Sequence, residues 1–412
     1  MHENEVRTKH GKIVCLSSEL DLGITLKGGQ SFRWFNYNNG YRGVFGGYVW
    51  TLTQHDSYLF YNVQGPLVDS KNYDTILSDY FRLNECLQDL CEKWTAADPH
   101  FKESLNKTNG VRILNQDVVE NVFSFICSSN NNIQRISGMV EKLCIFFGEK
   151  ICSIEGKDYY NFPSIEALAS KDVESKLREE KFGYRAEYIV NAAMRLIDLG
   201  GKQWLSNLHK KNNTSYAKAR EQLIILPGIG PKVADCVCLM SLGHLEAIPV
   251  DTHIFQIARA RYLPHLKQCK TVTPKIHEEI SNYLRELWGP LAGWAQALVF
   301  CAKINDISAR TRSRIKRKNS TSKKILRCLS MYPSIPLLSY LARNKRHNYV
   351  LYQHVVYIHG KKNQKIRDHA QERNRSNALH YLNSHYLYQL QPSENFALLI
   401  ETICRLNIIN FY

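Results

Sequence analysis

The sequence predicts an α+β protein: an antiparallel sheet first, helices after it, and a basic tail. Three observations carry this. Apolar residues alternate between about Cys15 and Val63, recur three and four apart from Tyr73 onward, and give way to a run of lysine and arginine after Asp306.

In the first region SFRWFNY and YVWTLT alternate and YLFYNV follows, with breaks at Asn39-Gly40, Gly46-Gly47 and His55-Asp56, where turns fit. The natural reading is a sheet of antiparallel strands. In the second, TILSDYFRLNECLQDLCEKW, DVVENVFSFICSS, ISGMVEKLCIFFG and SIEALAS place apolar residues on one helical face. The third opens with RTRSRIKRKNSTSKK, a polar basic run that reads as a linker or a nuclear-import signal and marks a boundary. Residues 1–115 are therefore expected to form the sheet domain with flanking helices, 116–306 the helical domain, and 307–412 a basic tail, partly disordered or of unknown fold. No function is assigned to that tail.

Composition narrows the class. The 412 residues are 44% hydrophobic, long enough for two or three domains with cores of their own. No stretch approaches the ~20 apolar residues of a membrane span, and MHENEVRTKHGKIV lacks the apolar centre of a secretory signal. An intracellular protein that does not enter a membrane is expected. Its 12 cysteines are scattered, so they read as buried thiols rather than a disulfide framework. Cys236 and Cys238 form a lone C-x-C with no second pair for zinc and no four-cysteine run for an iron–sulfur cluster. Neither metal nor cofactor is implied.

The net charge of +16 is unevenly placed: from Ile307 onward 19 Lys and Arg stand against 4 Asp and Glu, leaving 35 against 34 in the rest. Overall basicity is thus poor evidence that the folded part binds nucleic acid, and local motifs must make that case.

The informative motif is EQLIILPGIGPKVADCVCLM, read as a helix ending near Ile225, a tight turn, and a second helix starting about Pro231, where proline suits the first position. Gly228 and Gly230 allow positive φ and close approach of another backbone. Such a turn offers N–H groups at a helix start to a phosphate oxygen, gripping DNA through its backbone without reading sequence. An ordinary glycine-capped helix connection gives the same pattern. Lys232 enters the second helix one turn before Cys236, on the same face. The helix start is already partially positive, so it disfavours an ammonium there and favours the free amine that can act as a nucleophile. A lone solvated lysine is the bland alternative. Against it stands AIPVDTHIFQIARAR, in which Asp251 precedes an apolar-periodic helix, caps it, and presents a carboxylate that stabilises a cation.

Hairpin, lysine and distal aspartate together resemble the helix-hairpin-helix DNA glycosylases. The segments GGQSFRW, YFRLNECL, FSFICSSNNNIQRISGMVEKLC, FGYRAEYI and GWAQALVF extend the resemblance, from about residue 12 to 303, to the eukaryotic 8-oxoguanine DNA glycosylases. The resemblance implies a helical glycosylase domain after the sheet and a bifunctional enzyme for 8-oxoguanine opposite cytosine. Lys232 would attack C1′, displace the base and form a Schiff base, with β-elimination nicking the strand, while Asp251 stabilises an oxocarbenium-like transition state. The backbone carbonyl of Gly29 would accept the N7–H that oxidation gives guanine. Phe300 and Cys236 would sandwich the flipped base, Gln296 bond its Watson–Crick edge, and Met240 line the pocket. Asn130, Arg135 and Arg185 would hold the unpaired cytosine, Tyr184 would wedge into the vacated stack, His253 would touch a phosphate, and Gly228 and Gly230 would form the phosphate-gripping turn.

Plainer readings stand beside these: a hairpin turn for Gly28-Gly29, core packing for Phe300 and Met240, a polar loop for SSNNNIQR, and a buried helix-start histidine for His253. Lys303 stands where the resemblance leads one to expect an acid behind His253. The expected partner is damaged double-stranded DNA, bound by a monomer, with downstream base-excision-repair enzymes as further candidates. The expected location is the nucleus, with the mitochondrion as a second. A glycosylase for another lesion, or a DNA-binding module without chemistry, are the competing readings.

Overall fold

The computed structural model describes residues 6–307; all of the basic tail beyond Ile307 lies outside the described residues. An antiparallel sheet comes first, with β1 (Arg7–Val14), β2 (Phe35–Tyr37), β3 (Gly40–Phe45), β4 (Tyr48–His55) and β5 (Tyr58–Gly65) in the order β1-β5-β4-β3-β2. Tight turns at Asn38-Asn39, Gly46-Gly47 and Asp56-Ser57 join β2 to β5. Two of them sit one residue from the expected breaks. Gly40 belongs to β3, where any Cβ would lie 2.1 Å from the Leu52 carbonyl oxygen.

Two strand expectations need correction. The sheet does not begin at Cys15, because β1 precedes it, pairing with β5 from Arg7↔Gly65 to Val14↔Tyr58. RTKHGKIV hides this, since an exposed edge strand needs little apolar alternation. Nor is Cys15 to Trp34 strand: Asp21 caps the helix α1 (Leu22–Lys27), its Oδ1 accepting from Ile24 N at 2.8 Å, and Ser31 to Trp34 is irregular. The alternation in SFRW has another cause. Phe32 packs in the core of the helical region and Trp34 in that of the sheet, so the segment is threaded between two hydrophobic clusters.

The inner face of the sheet buries Trp50, Leu52, Leu59, Tyr61 and Val63 against α2 (Tyr73–Phe81). The segment expected to be one helical stretch breaks at Arg82, in the left-handed region at φ +53°, before α3 (Leu87–Ala97) and α4 (Pro99–Thr108). Then come α5 (Val118–Ile126) and α6 (Ile133–Phe147), capped by Asp117 and Asn132. All of α5 except Glu120 is buried, which makes it the axis of the helical core. After α6 a hairpin, β6 (Lys150–Ile154) and β7 (Lys157–Tyr160), interrupts the helices and covers the outer face of the sheet, Cys152, Ile154 and Tyr159 packing on Val44 and Val49. Its signal was Glu155-Gly156, both at positive φ, the sort of pair that two-residue hairpins favour.

The rest is helical: α7 (Ile165–Leu168), α8 (Lys171–Glu179), α9 (Arg185–Leu199), α10 (Gly201–Asn207), α11 (Tyr216–Ile224), α12 (Pro231–Ser241), α13 (Thr252–Ile257) and α14 (Pro274–Trp288), with residues 292–307 closing the described chain as a helix. Trp294, Leu298 and Cys301 of that last helix are buried, as their spacing predicts.

Candidate active site

The hairpin lies between α11 and α12. Gly228 has φ +80° and its α-carbon lies so near α9 that a Cβ would come within 2.8 Å of Tyr188 Cβ. Glycine is required there twice over. Gly230 is different: φ is −94°, which any residue adopts, and a Cβ there would meet nothing within 4 Å. The expectation of positive φ is corrected for it. What Gly230 provides is open space ahead of α12, whose first N–H groups carry no side-chain cap, the arrangement that seats an anion.

The turn is braced from behind. Asp235, fully buried on α12, accepts from Tyr216 Oη at 2.7 Å and Arg220 Nε at 2.9 Å on α11, and its second oxygen lies 3.1 Å from His277 Nε2 on α14. A buried carboxylate with these partners fixes α11 against α12 and thereby the direction in which Lys232 leaves the helix.

Lys232 is half-buried. Its Nζ lies 3.5 Å from Ser128 Oγ and 4.9 Å from the centroid of the Phe125 ring. Asp251 caps α13, Oδ1 accepting from His253 N at 2.9 Å and Ile254 N at 2.8 Å. Those two bonds hold the carboxylate at the mouth of the cleft that Lys232 also lines. Cys236 lines it too, buried one turn along α12, its thiol pushed up to about 11 by burial against the pull of the nearby Lys232 cation.

The cleft encloses about 470 Å³ of free space, part of it open to solvent, and Gly28, Gly29, Phe125, Met240, Gln296 and Phe300 complete its wall. Gly29 has φ +86°, and a Cβ there would lie 3.4 Å from Ile133 Cδ1 and 3.9 Å from Phe300 Cε1. Backbone conformation, more than space, is what calls for glycine. The same distances put Gly29 beside the edge of the Phe300 ring in the wall of the cleft. Gln30 pins this corner: its buried amide donates to Arg112 O at 2.7 Å and accepts from Leu114 N at 3.0 Å. The side chain of Gln296 is buried and makes no hydrogen bond among the described residues, so its amide is free for a ligand in the cleft. His253 stands behind Phe300, ring centroids 6.0 Å apart and edge to face, with its buried Nδ1 unpartnered.

A second cluster surrounds the loop after α5. Asn130 is exposed at φ +46°, and Arg185 is 3% exposed, its guanidinium donating to the carbonyls of Ser129 and Asn130. Tyr184 is 47% exposed and donates to Ser129 O at 3.1 Å, while Arg135, also exposed, donates to Lys181 O at 3.1 Å. Asn130, Tyr184 and Arg185 therefore meet at the loop after α5, while Arg135 reaches the turn before α9. Arg185 supports that loop from within instead of reaching outward.

The structure thus gathers Gly29, Lys232, Cys236, Met240, Asp251, Gln296 and Phe300 in one cleft, with His253 behind it and the 130–185 cluster grouped separately. Sequence reasoning missed Ser128, Phe125, Gln30 and Asp235. Only Asp235 left a signal, an acid among apolar residues on the buried face of VADCVC; the others depend on contacts between distant segments. Among the described residues no group of three or more His, Cys, Asp or Glu is placed to hold a metal ion.

A family model for the N-terminal domain of 8-oxoguanine DNA glycosylase matches residues 12–122, and one for the HhH-GPD superfamily of base excision DNA repair proteins matches 123–290. The N-glycosylase/DNA lyase of Saccharomyces cerevisiae is 36% identical over 336 residues, covering 74% of this chain and 88% of its own. The N-glycosylase/DNA lyase OGG1 of Arabidopsis thaliana is 37% identical over 292 residues, covering 70% and 78%. Among solved structures, the 8-oxoguanine glycosylase/lyase of Clostridium acetobutylicum in complex with double-stranded DNA containing cytosine opposite 8-oxoguanine superposes with a TM-score of 0.62 at 26% identity, over 74% of this chain and 99% of that one.

Proposed function

We propose that this chain, which belongs to the 8-oxoguanine DNA glycosylase family and is a DNA N-glycosylase with associated apurinic/apyrimidinic lyase activity, removes 8-oxoguanine opposite cytosine through a Schiff base on Lys232. The observation that carries the proposal is the convergence of a lysine, a helix-capping aspartate, a glycine at positive φ and an unpaired buried side-chain amide on one cleft. A DNA-binding module without chemistry would need only the turn.

Lys232 Nζ, as the free amine, forms a bond to C1′ while the bond from C1′ to N9 breaks and the base leaves with the electron pair, to be protonated in the pocket. Asp251 stabilises the positive charge on the sugar as the bonds exchange, its carboxylate already held by two backbone N–H groups. Loss of the sugar's ring C–O bond turns the adduct into the Schiff base. A proton then leaves C2′, the 3′ phosphate departs, and the strand is nicked by β-elimination.

Recognition falls to the cleft walls. Gly29 turns its carbonyl to the N7–H of the lesion, an atom that in guanine bears no proton. Phe300 and Cys236 enclose the ring, Met240 fills beside it and Gln296 bonds its pairing edge. Extraction of the nucleotide costs a few kcal/mol, and Tyr184, exposed beside Tyr188 at 5.8 Å between centroids, fills the gap. Asn130, Arg135 and Arg185 receive the orphaned cytosine, Arg185 by exchanging the loop carbonyls for the base edge. The turn at Gly228 and Gly230, with His253, holds the phosphates. The enzyme acts as a monomer in the nucleus, with the mitochondrion as a second location, on damaged duplex DNA that it passes to downstream repair enzymes, and its domains divide near residues 115 and 306.

The test is single-turnover excision from duplexes carrying 8-oxoguanine opposite each of the four bases, with a thymine glycol duplex beside them. Fastest excision opposite cytosine is expected. Equal rates opposite all four bases would remove the role given to the Arg185 cluster.

A further inference from the structure

We propose that Gln116, in the irregular segment 109–117 between α4 and α5, is a positioning residue for lesion recognition: by tying the end of α12 to the Gly29 corner, it fixes where the Gly29 carbonyl meets the base. This rests on the reading of that carbonyl as the acceptor of N7–H.

The peptide that carries the Gly29 carbonyl runs directly into Gln30, so whatever holds Gln30 holds the carbonyl. Gln30 is 3% exposed, and three hydrogen bonds join it to one short stretch of chain. Its amide donates to Arg112 O at 2.7 Å and accepts from Leu114 N at 3.0 Å, and its own backbone carbonyl accepts from Gln116 Nε2 at 3.0 Å. A carbonyl can only accept, which settles that the Gln116 amide turns its nitrogen inward. The first two bonds fix the Gln30 side chain. The third reaches the backbone itself, one residue from Gly29.

Gln116 has a second bond. Its N–H donates to Met240 O at 2.8 Å, one of the last carbonyls of α12, which lack partners within the helix. Met240 lines the cleft, and Lys232 and Cys236 stand on the same helix. A single residue thus joins the wall that reads N7–H to the wall that brings the nucleophile. The segment on which it sits is firmly held. Arg112, 1% exposed, donates to the carbonyls of Glu19, Arg82 and Glu85, and Asn115 N donates to Tyr80 O at 2.8 Å. Val111 O accepts from Trp294 Nε1 at 2.9 Å, on the helix that carries Gln296 and Phe300. The Gly29 corner, α12 and the last helix are therefore all hydrogen-bonded to residues 111–116. Gln116 is half-buried and does not line the cleft, so it acts through Gly29-Gln30 and not by touching a base.

The test compares two reactions of the full chain: single-turnover excision of 8-oxoguanine, and nicking of a duplex that already carries an abasic site, which needs the nucleophile but no base in the cleft. Gln116→Met keeps the length of the side chain and the backbone N–H to Met240 but loses the donor to Gln30. Excision should fall roughly three- to tenfold, as loss of one hydrogen bond implies, while abasic nicking stays within about twofold of wild type. Gln116→Glu, which presents only acceptors to the same carbonyl, should lose at least as much and reads the proposal independently if the methionine variant folds poorly. Combined with Gly29→Ala, Gln116→Met should add little further loss, because both act through one carbonyl. Excision unchanged in both Gln116 variants, excision and abasic nicking falling together, or losses that multiply in the double variant would each overturn the proposal. Gly29→Ala run in parallel separates the two readings: if it excises at the wild-type rate, the role of the Gly29 carbonyl is wrong, whereas a slow Gly29→Ala beside unchanged Gln116 variants removes the role of Gln116 alone.

Discussion

Replacing Gly29 by alanine should separate recognition from folding. With φ at +86°, an L side chain pays the strain of the left-handed region, about 1–2 kcal/mol. The added methyl itself meets only Ile133 Cδ1 at 3.4 Å and Phe300 Cε1 at 3.9 Å, ordinary contacts that add little. Melting should therefore fall by no more than about 2–4 °C per kcal/mol in a chain of this size. The lesion fares worse, because the methyl thickens the cleft wall between Ile133 and Phe300, and strain tilts the carbonyl that is to accept N7–H. Loss of one acceptor in a closed polar site costs about 1–3 kcal/mol, so single-turnover excision of 8-oxoguanine should fall roughly 5- to 150-fold while binding to undamaged duplex is unchanged. Melting temperature and excision are measured on the same preparation. A variant that melts lower yet excises at the wild-type rate would refute the role of the Gly29 carbonyl and leave a turn glycine.

Asp251→Asn should slow excision at least tenfold with little change in melting, because asparagine caps a helix about as well as aspartate but carries no charge to stabilise the sugar; Asp251→Ala should in addition lose about 1 kcal/mol. Equal activity of wild type and the asparagine variant in single-turnover assays would leave capping as the residue's only task. Glu246 offers a pH test of stability. Burial works against its ionised form, but the His244 imidazole 3.9 Å away, its own backbone N–H and the Lys210 ammonium, which donates to Oε2 at 3.1 Å, win and hold its carboxyl down at about 2, from an ordinary 4.5. Its folded form is thus the stronger acid, so the stabilisation is complete above 4.5 and is lost as pH falls toward 2. Glu246→Gln should be less stable at pH 7 by on the order of 1 kcal/mol, allowing for screening at a half-exposed site, and denaturant titrations should show the difference shrinking below pH 4.5. A difference that grows on acidification would contradict the assignment.

What the sequence made legible was local. The turn before Pro231, the cap at Asp251 and the two-residue turn at Gly46-Gly47 follow from a few neighbouring residues, and each stands where the pattern put it, because caps and tight turns are decided by the chain within three or four positions. Long-range features were harder. β1 was hidden because an edge strand can be polar, and SFRW imitated a strand because Phe32 and Trp34 serve different cores on opposite sides of the chain. The site divides in the same way. Lys232 and Cys236 share a helix face and could be paired from spacing, whereas Gln30 anchoring the Gly29 corner and Ser128 meeting Lys232 join segments 82 and 104 residues apart. Arg185 was legible as a functional arginine but not as a buried one, since its place inside the 127–130 loop depends on how α9 packs beside α5.

The central claim is that Lys232 bonds to the sugar, and borohydride reduction of the Schiff base tests it most directly. Wild-type protein mixed with a duplex carrying 8-oxoguanine opposite cytosine should become covalently joined to the cleaved strand when borohydride is present. Lys232→Gln, which keeps much of the side chain's volume, should bind the same duplex yet form no adduct and release no base. Undiminished trapping in Lys232→Gln, or a wild-type enzyme that excises the lesion without ever being trapped, would contradict the account.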